Sequence, residues 1–170
     1  MITACPIVAF YRGGPDTYGR TLDEIRSWDH DRLEDVHDFI QFLFPTRQPS
    51  AFNADAPLVT DETIAAFQAD PALRAELAHS LEVMLDFYGL QTDPERGVVI
   101  KADNFATRAE NWLVVPNHNF LRLTRILTSL RLLGLADRAA ALLACLEKLN
   151  TERPGLFGNS IDFWRAAVRS

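Results

Sequence analysis

The stretch "NHNFLRLTRILTSLRLLGL", residues 117–135, reads as an amphipathic helix with charge set among its leucines. Asn117 opens it and Gly134 ends it, since glycine accepts the left-handed cap that closes many helices. Phe120, Leu123, Ile126, Leu127, Leu130 and Leu133 recur at helical spacing and make one broad apolar face. His118, Arg122, Arg125 and Ser129 fall at i, i+4, i+7 and i+11, a polar stripe flanked by Leu121 and Leu132. So much leucine places the helix against a core, and the stripe needs polar company.

The same punctuation recurs outward in both directions. "TLDE" at 21–24 is a capping box, in which the threonine oxygen takes an amide of the first turn and Glu24 reaches back. Asp29 caps a helix running through "RLEDVHDFIQFLF" until Pro45 stops it. Thr60 or Asp61 starts another, and "DPALRAELAHSLEVMLDFYG" is bracketed by Asp70, Pro71 and Gly89. Further helices cover 104–112, "ADRAAALLACLEKLN" and "SIDFWRAAV". "VVIK" at 98–101 reads as a lone extended piece with no partner strand. The expected fold is all-α, one domain over residues 1–170 with about seven or eight helices. Two long loops interrupt it, 45–59 and 91–103, and Phe52 and Leu58 are expected to pin the first to the core.

Composition narrows the function. The chain has 170 residues, 48% of them hydrophobic, enough for a core of ordinary size. Its formal net charge of −6, with no basic block, argues against nucleic acid as a partner. Arg122, Arg125, Arg131, Asp137, Arg138 and Glu147 interrupt the leucine-rich region 121–149, so no transmembrane segment is expected. The start lacks the basic and apolar regions of a signal peptide. Cys5 and Cys145 form no framework and point to free thiols in a soluble, cytoplasmic protein.

A second stripe repeats the arrangement, and its helix is expected to pack near the first. In 30–44, Leu33, Val36, Ile40 and Leu43 make a core face, while His30, Glu34, His37 and Gln41 border it with Asp38 alongside. One reading is structural, with Glu34 or Asp38 paired to Arg122 or Arg125 across packed helices. The other is a polar pocket in which the two guanidiniums hold a carboxylate. Glu34-x-x-His37 and Glu76-x-x-His79 also match the spacing of dinuclear helical bundles. Glu76 and His79 fall away from the buried side set by Leu73, Leu77, Leu81, Met84 and Tyr88, so neither metal nor cofactor is assigned. No nucleophile elbow, phosphate loop or dinucleotide fingerprint is present.

"FYRG" at 10–13, "RLEDVHDFIQFLFP" at 32–45, "EVMLDFYGL" at 82–90, the stretch 117–135, Trp112 and the closing "DFW" occur in one order. Together they resemble the conserved domain of the opioid growth factor receptor family, without the long repetitive tail of some members. Glu34, His37, Asp38, Gln41, His118, Asn119, Arg122, Arg125 and Ser129 match the family pattern, whereas His30, Glu76 and His79 do not. Vertebrate members are described as enkephalin-binding growth regulators associated with the nucleus, unrelated to the seven-helix opioid receptors. The resemblance implies a receptor-like binding or regulatory module whose partner is a peptide, a small carboxylate or another protein. The expected ligand residues are Glu34, His37, Asp38, Gln41, His118, Asn119, Arg122 and Arg125, with Phe42, Phe52 or Trp112 for aromatic rings. Two alternatives stand beside it: an enzyme using His37 and His118 in acid–base or metal chemistry, and a structural adaptor with both stripes internally paired.

Overall fold

Four helix starts follow the capping chemistry. In the computed structural model, which describes residues 5–170, Thr21 accepts from the Glu24 amide and opens α2 (Leu22–Arg26). Asp29 accepts from the Arg32 amide at the head of α3 (His30–Asp35). Thr60 and Thr63 exchange hydrogen bonds at the start of α5 (Asp61–Ala69). Asp70 caps α6 (Pro71–Tyr88), with Pro71 at its first position and Gly89 (φ 76°) at its end. The remaining helices are α1 (Pro6–Tyr11), α4 (Ile40–Leu43), α7 (Phe105–Trp112), α8 (Asn119–Leu132), α9 (Ala136–Glu152) and α10 (Ser160–Arg169). The described residues therefore hold ten helices where eight were read. One addition is α1; the other comes from a break in the helix expected over 30–44, which becomes α3 and α4.

The loop expected over 91–103 is also corrected. Strand β1 (Leu90–Thr92) pairs antiparallel with β2 (Val99–Lys101), joining Leu90 to Lys101 and Thr92 to Val99. Asp93 organises the turn, its carboxylate accepting from the Glu95 and Arg96 amides. This hairpin of three residues a side sits at the edge of a helical fold. Gly89 leads into it at a close approach: a Cβ there would stand 2.6 Å from the Phe105 Cα.

The core gathers around α8. Leu123, Ile126, Leu127, Leu130 and Leu133 are buried, as their spacing required, against α9 and α10. Leu73, Leu77, Leu81, Met84 and Tyr88 bury the inner face of α6. Aromatic contacts knit the end of this core, Tyr88 to Trp112 at 5.0 Å and Phe157 to Trp164 at 4.8 Å between centroids. Both indoles are satisfied, Trp112 donating to the Tyr88 carbonyl and Trp164 to the Phe120 carbonyl. The loop 45–59 is held differently from expectation. Phe52 and Leu58 are exposed, while Val59 and Asn53 are buried. The loop closes through the Val59 amide on the Thr46 carbonyl and Asn53 on the Asp38 carbonyl.

Candidate functional site

The site grows out of the break between α3 and α4. Val36 turns to extended backbone (ψ 124°), so the last carbonyls of α3 lose their helical donors. Arg122 replaces them. Its Nη1 donates to the Leu33 carbonyl at 2.8 Å, and its Nη2 to those of Val36 at 2.9 Å and Glu34 at 3.3 Å. The guanidinium also stacks over Phe39, 5.4 Å from the ring centre. Nη2 lies 3.4 Å from His37 Nδ1. A guanidinium can only donate, so His37 Nδ1 is the acceptor of this contact.

A second clamp holds the far side of the break. Arg20 donates to the Asp38 carboxylate at 2.7 Å and to the Asp38 carbonyl, and its Nε donates to the buried Asp16 at 2.8 Å. Burial works against the Arg20 charge, but the bonds to Asp38 and Asp16 outweigh it and raise the pKa. Glu34 is occupied elsewhere. Its two oxygens meet His118 Nε2 at 3.0 Å and Asn119 Nδ2 at 3.2 Å. The His37 and His118 rings meet edge-on, 5.2 Å apart. Desolvation lowers the His118 pKa, with Arg122 and His37 adding to the effect and Glu34 opposing it.

The expected ion pairs of Glu34 or Asp38 with Arg122 or Arg125 do not form among the described residues. Glu34 takes His118, Asp38 takes Arg20, and Arg122 and Arg125 donate to backbone carbonyls. The α3–α4 break explains the change, because it gives Arg122 carbonyls to cap and turns Asp38 toward Arg20.

Over the outer face of α8 lies a cleft of about 1020 Å3. Leu121, Thr124, Arg125 and Thr128 form its floor; α4 and the loop 46–52 form one wall, and α10 the other. His37, Asp38, Gln41, His118, Arg122 and Arg125 line it, while Glu34 and the buried Asn119 stand behind His118. Ser129, the last member of the stripe, is fully buried. Arg125 donates once, to the Phe44 carbonyl at 3.2 Å, and has no carboxylate within ion-pair reach among the described residues. Burial alone lowers its pKa. Gln41 is buried on the same wall, with its Oε1 unpartnered.

Phe42 and Trp112 are core residues and face no ligand; of the three candidate rings only Phe52, 73% exposed, reaches the cleft. Phe163, 65% exposed on α10, was missed. Its signal was the pair Phe163–Trp164, since neighbouring helical residues point about 100° apart and only one can enter the core. A smaller cavity of about 510 Å3, lined by Trp28, His30, His79, Glu82 and Asp86 among others, takes His30 away from the rest of its stripe and brings it beside His79. His30 is held there by Asp86 at 2.7 Å. Among the described residues no three His, Cys, Asp or Glu side chains converge to hold a metal ion.

Residues 15–170 match the opioid growth factor receptor (OGFr) conserved region. The chain is 38% identical over 153 residues to the opioid growth factor receptor of Mus musculus, covering 86% of this chain and 24% of that protein. Against the Homo sapiens opioid growth factor receptor the identity is 37% over 153 residues, 86% of this chain and 22% of the other. Opioid growth factor receptor-like protein 1 of Xenopus tropicalis is 35% identical over 119 residues, 68% of this chain and 23% of that one. The chain thus spans about a quarter of the length of these relatives. No solved structure matches it.

Proposed function

The chain belongs to the opioid growth factor receptor conserved-region family, and on that premise we propose that it is a binding module holding a peptide or small carboxylate in the cleft over α8. One observation carries the reading. Arg125 is a half-buried cation with a single carbonyl partner and no counter-ion among the described residues, set beside Leu121 and within a cleft that also presents Phe163. A charge withdrawn from water is costly unless paired, and a carboxylate bound bidentately would complete its hydrogen bonds. The exposed Leu121 and Phe163 offer apolar contact to the rest of such a ligand. The relatives' names speak of a growth factor receptor, and receptor activity comes to this chain as part of the same proposal.

Among the described residues no helix is long and apolar enough to cross a membrane, and Cys5 and Cys145 are unpaired, which supports a cytoplasmic setting. A second reading has one observation in its favour. His118 opens onto the same cleft with the Glu34 carboxylate 3.0 Å behind it, the arrangement acid–base chemistry would use.

A thermal-shift screen of short peptides with free or amidated C-termini, together with amino-acid-like acids, tests both. At a hundredfold excess over Kd a ligand stabilises the fold by roughly 2.7 kcal/mol. The expected result is a shift with free carboxylates, lost in Arg125→Met. A screen without shifts, or shifts that survive Arg125→Met, overturns the binding reading. Consumption of a ligand that stops in His118→Gln favours the enzyme.

A further inference from the structure

Besides Arg47, which Asp61 engages, the cleft carries one more cation that the polar stripe does not include. Arg131 lies at the base of the α10 wall, where its Nε donates to the Ala167 carbonyl at 2.7 Å. Like Arg125, it has no carboxylate within ion-pair reach among the described residues. Arg131 lies six positions after Arg125, about 9 Å along the axis at 1.5 Å per residue. They lean apart, Arg125 toward Phe44 beside the α4 wall and Arg131 toward α10. Asp38 is the sole acidic side chain on the lining, and Arg20 engages it at 2.7 Å. In a chain of net charge −6 the cleft has the opposite sign.

The floor between the two arginines adds a different chemistry. Thr124 and Thr128 donate their hydroxyl protons to the Phe120 and Thr124 carbonyls. Their oxygens keep lone pairs that can accept N–H groups of a ligand. Cations on either side with acceptors between them suit an acidic peptide, which offers carboxylates as well as amide donors. An extended chain advances about 3.3 Å per residue, so three residues span about 10 Å. Residues an odd number apart also point to opposite sides, as the two arginines do.

Resting on the binding reading above, we propose that the cleft takes an extended acidic peptide, with one anionic group on Arg125 and a second, three residues away, on Arg131. The peptide backbone runs over Thr124 and Thr128, and an apolar side chain sits against Leu121 or Phe163.

The probe is a blocked octapeptide with glutamates at its third and sixth positions and a phenylalanine between, its binding read by calorimetry. Versions with either glutamate replaced by glutamine, or with the glutamates adjacent, are compared with it. The expected result is that the spaced di-acid binds about tenfold or more tighter than the others. Arg131→Gln should erase its advantage over one single-acid version, whose own affinity stays unchanged, while Arg131→Lys restores part of it. Melting curves confirm that each variant is folded, and a misfolded Arg131→Gln leaves the peptide series on the natural chain to decide. Equal affinity for single- and double-acid peptides overturns this inference and leaves the single-anion module standing. Binding of a single-stranded oligonucleotide with none of these peptides overturns the acidic-peptide assignment. Indifference of every peptide to Arg125→Gln overturns the binding reading itself.

Discussion

The break between α3 and α4 and the floor of the cleft each take a guanidinium from α8, three residues apart, and use it in opposite ways. Arg122 enters the break, caps three carbonyls and stacks on Phe39. Arg125 reaches a single carbonyl at 3.2 Å and leaves the rest of its fork to the cleft. Composition and helical position barely distinguish the two. What separates them is the number of orphaned backbone groups each one meets: a filled fork fixes architecture, and an empty one offers a site.

The strongest way to break this comparison is to remove each arginine in turn. Arg122→Met strands the carbonyls of α3 and should cost roughly 3–5 kcal/mol, a fall in melting temperature on the order of 10 °C for a chain of this size. Arg125→Met should cost about 1 kcal/mol or less and abolish the carboxylate-dependent shift. Equal losses, measured by calorimetry, would remove the distinction between wall and floor. Arg20→Met tests the other clamp on the break. Asp16 keeps its bonds from the Tyr18 and Arg20 amides, so a loss of about 2 kcal/mol is expected, below that of Arg122. A larger loss would make Arg20 the principal clamp.

The smallest effect sharpens the junction between the two regions, where His118 sits. Desolvation holds its folded pKa below the unfolded value of about 6.5, so the unfolded chain binds the proton first. Stability is then highest above about pH 6.5 and declines as pH falls from there toward the folded pKa. His118 is half-exposed, so the slope is shallow. Urea midpoints measured near pH 7 and pH 5 should differ less in His118→Gln than in the natural chain. An identical difference in both would show that the histidine does not feel the junction.

Eight helices were legible because each advertises a cap, a stop or a 3.6-residue period. The first helix was not, since Cys5 gives it no side-chain cap and its one signal is Pro6 at the first turn. The α3–α4 break was invisible for a deeper reason. "RLEDVHDFIQFLF" keeps a helical apolar period straight through it, and Leu33, Ile40 and Leu43 are buried on either side. The donor that makes the break tolerable lies 86 positions from Val36. At the candidate site the sequence brought the right stripes together and paired them wrongly, because neither the carbonyl caps nor Arg20 leaves a local mark. Arg131 and Phe163 escaped notice because the α10 wall exists only once the helices have packed.

The distance between Val36 and Arg122 also bears on how the chain is made. At roughly 5–20 residues per second, a ribosome takes about 4–17 s to add the intervening stretch. Through that interval the emerged segment 30–44 has its own periodicity for guidance, which favours an unbroken helix. The mature path, with His37 and Asp38 turned into the cleft, waits for a side chain that has not yet been translated. The α4 wall of the cleft therefore waits for Arg122, after the helices that precede α8 have been translated.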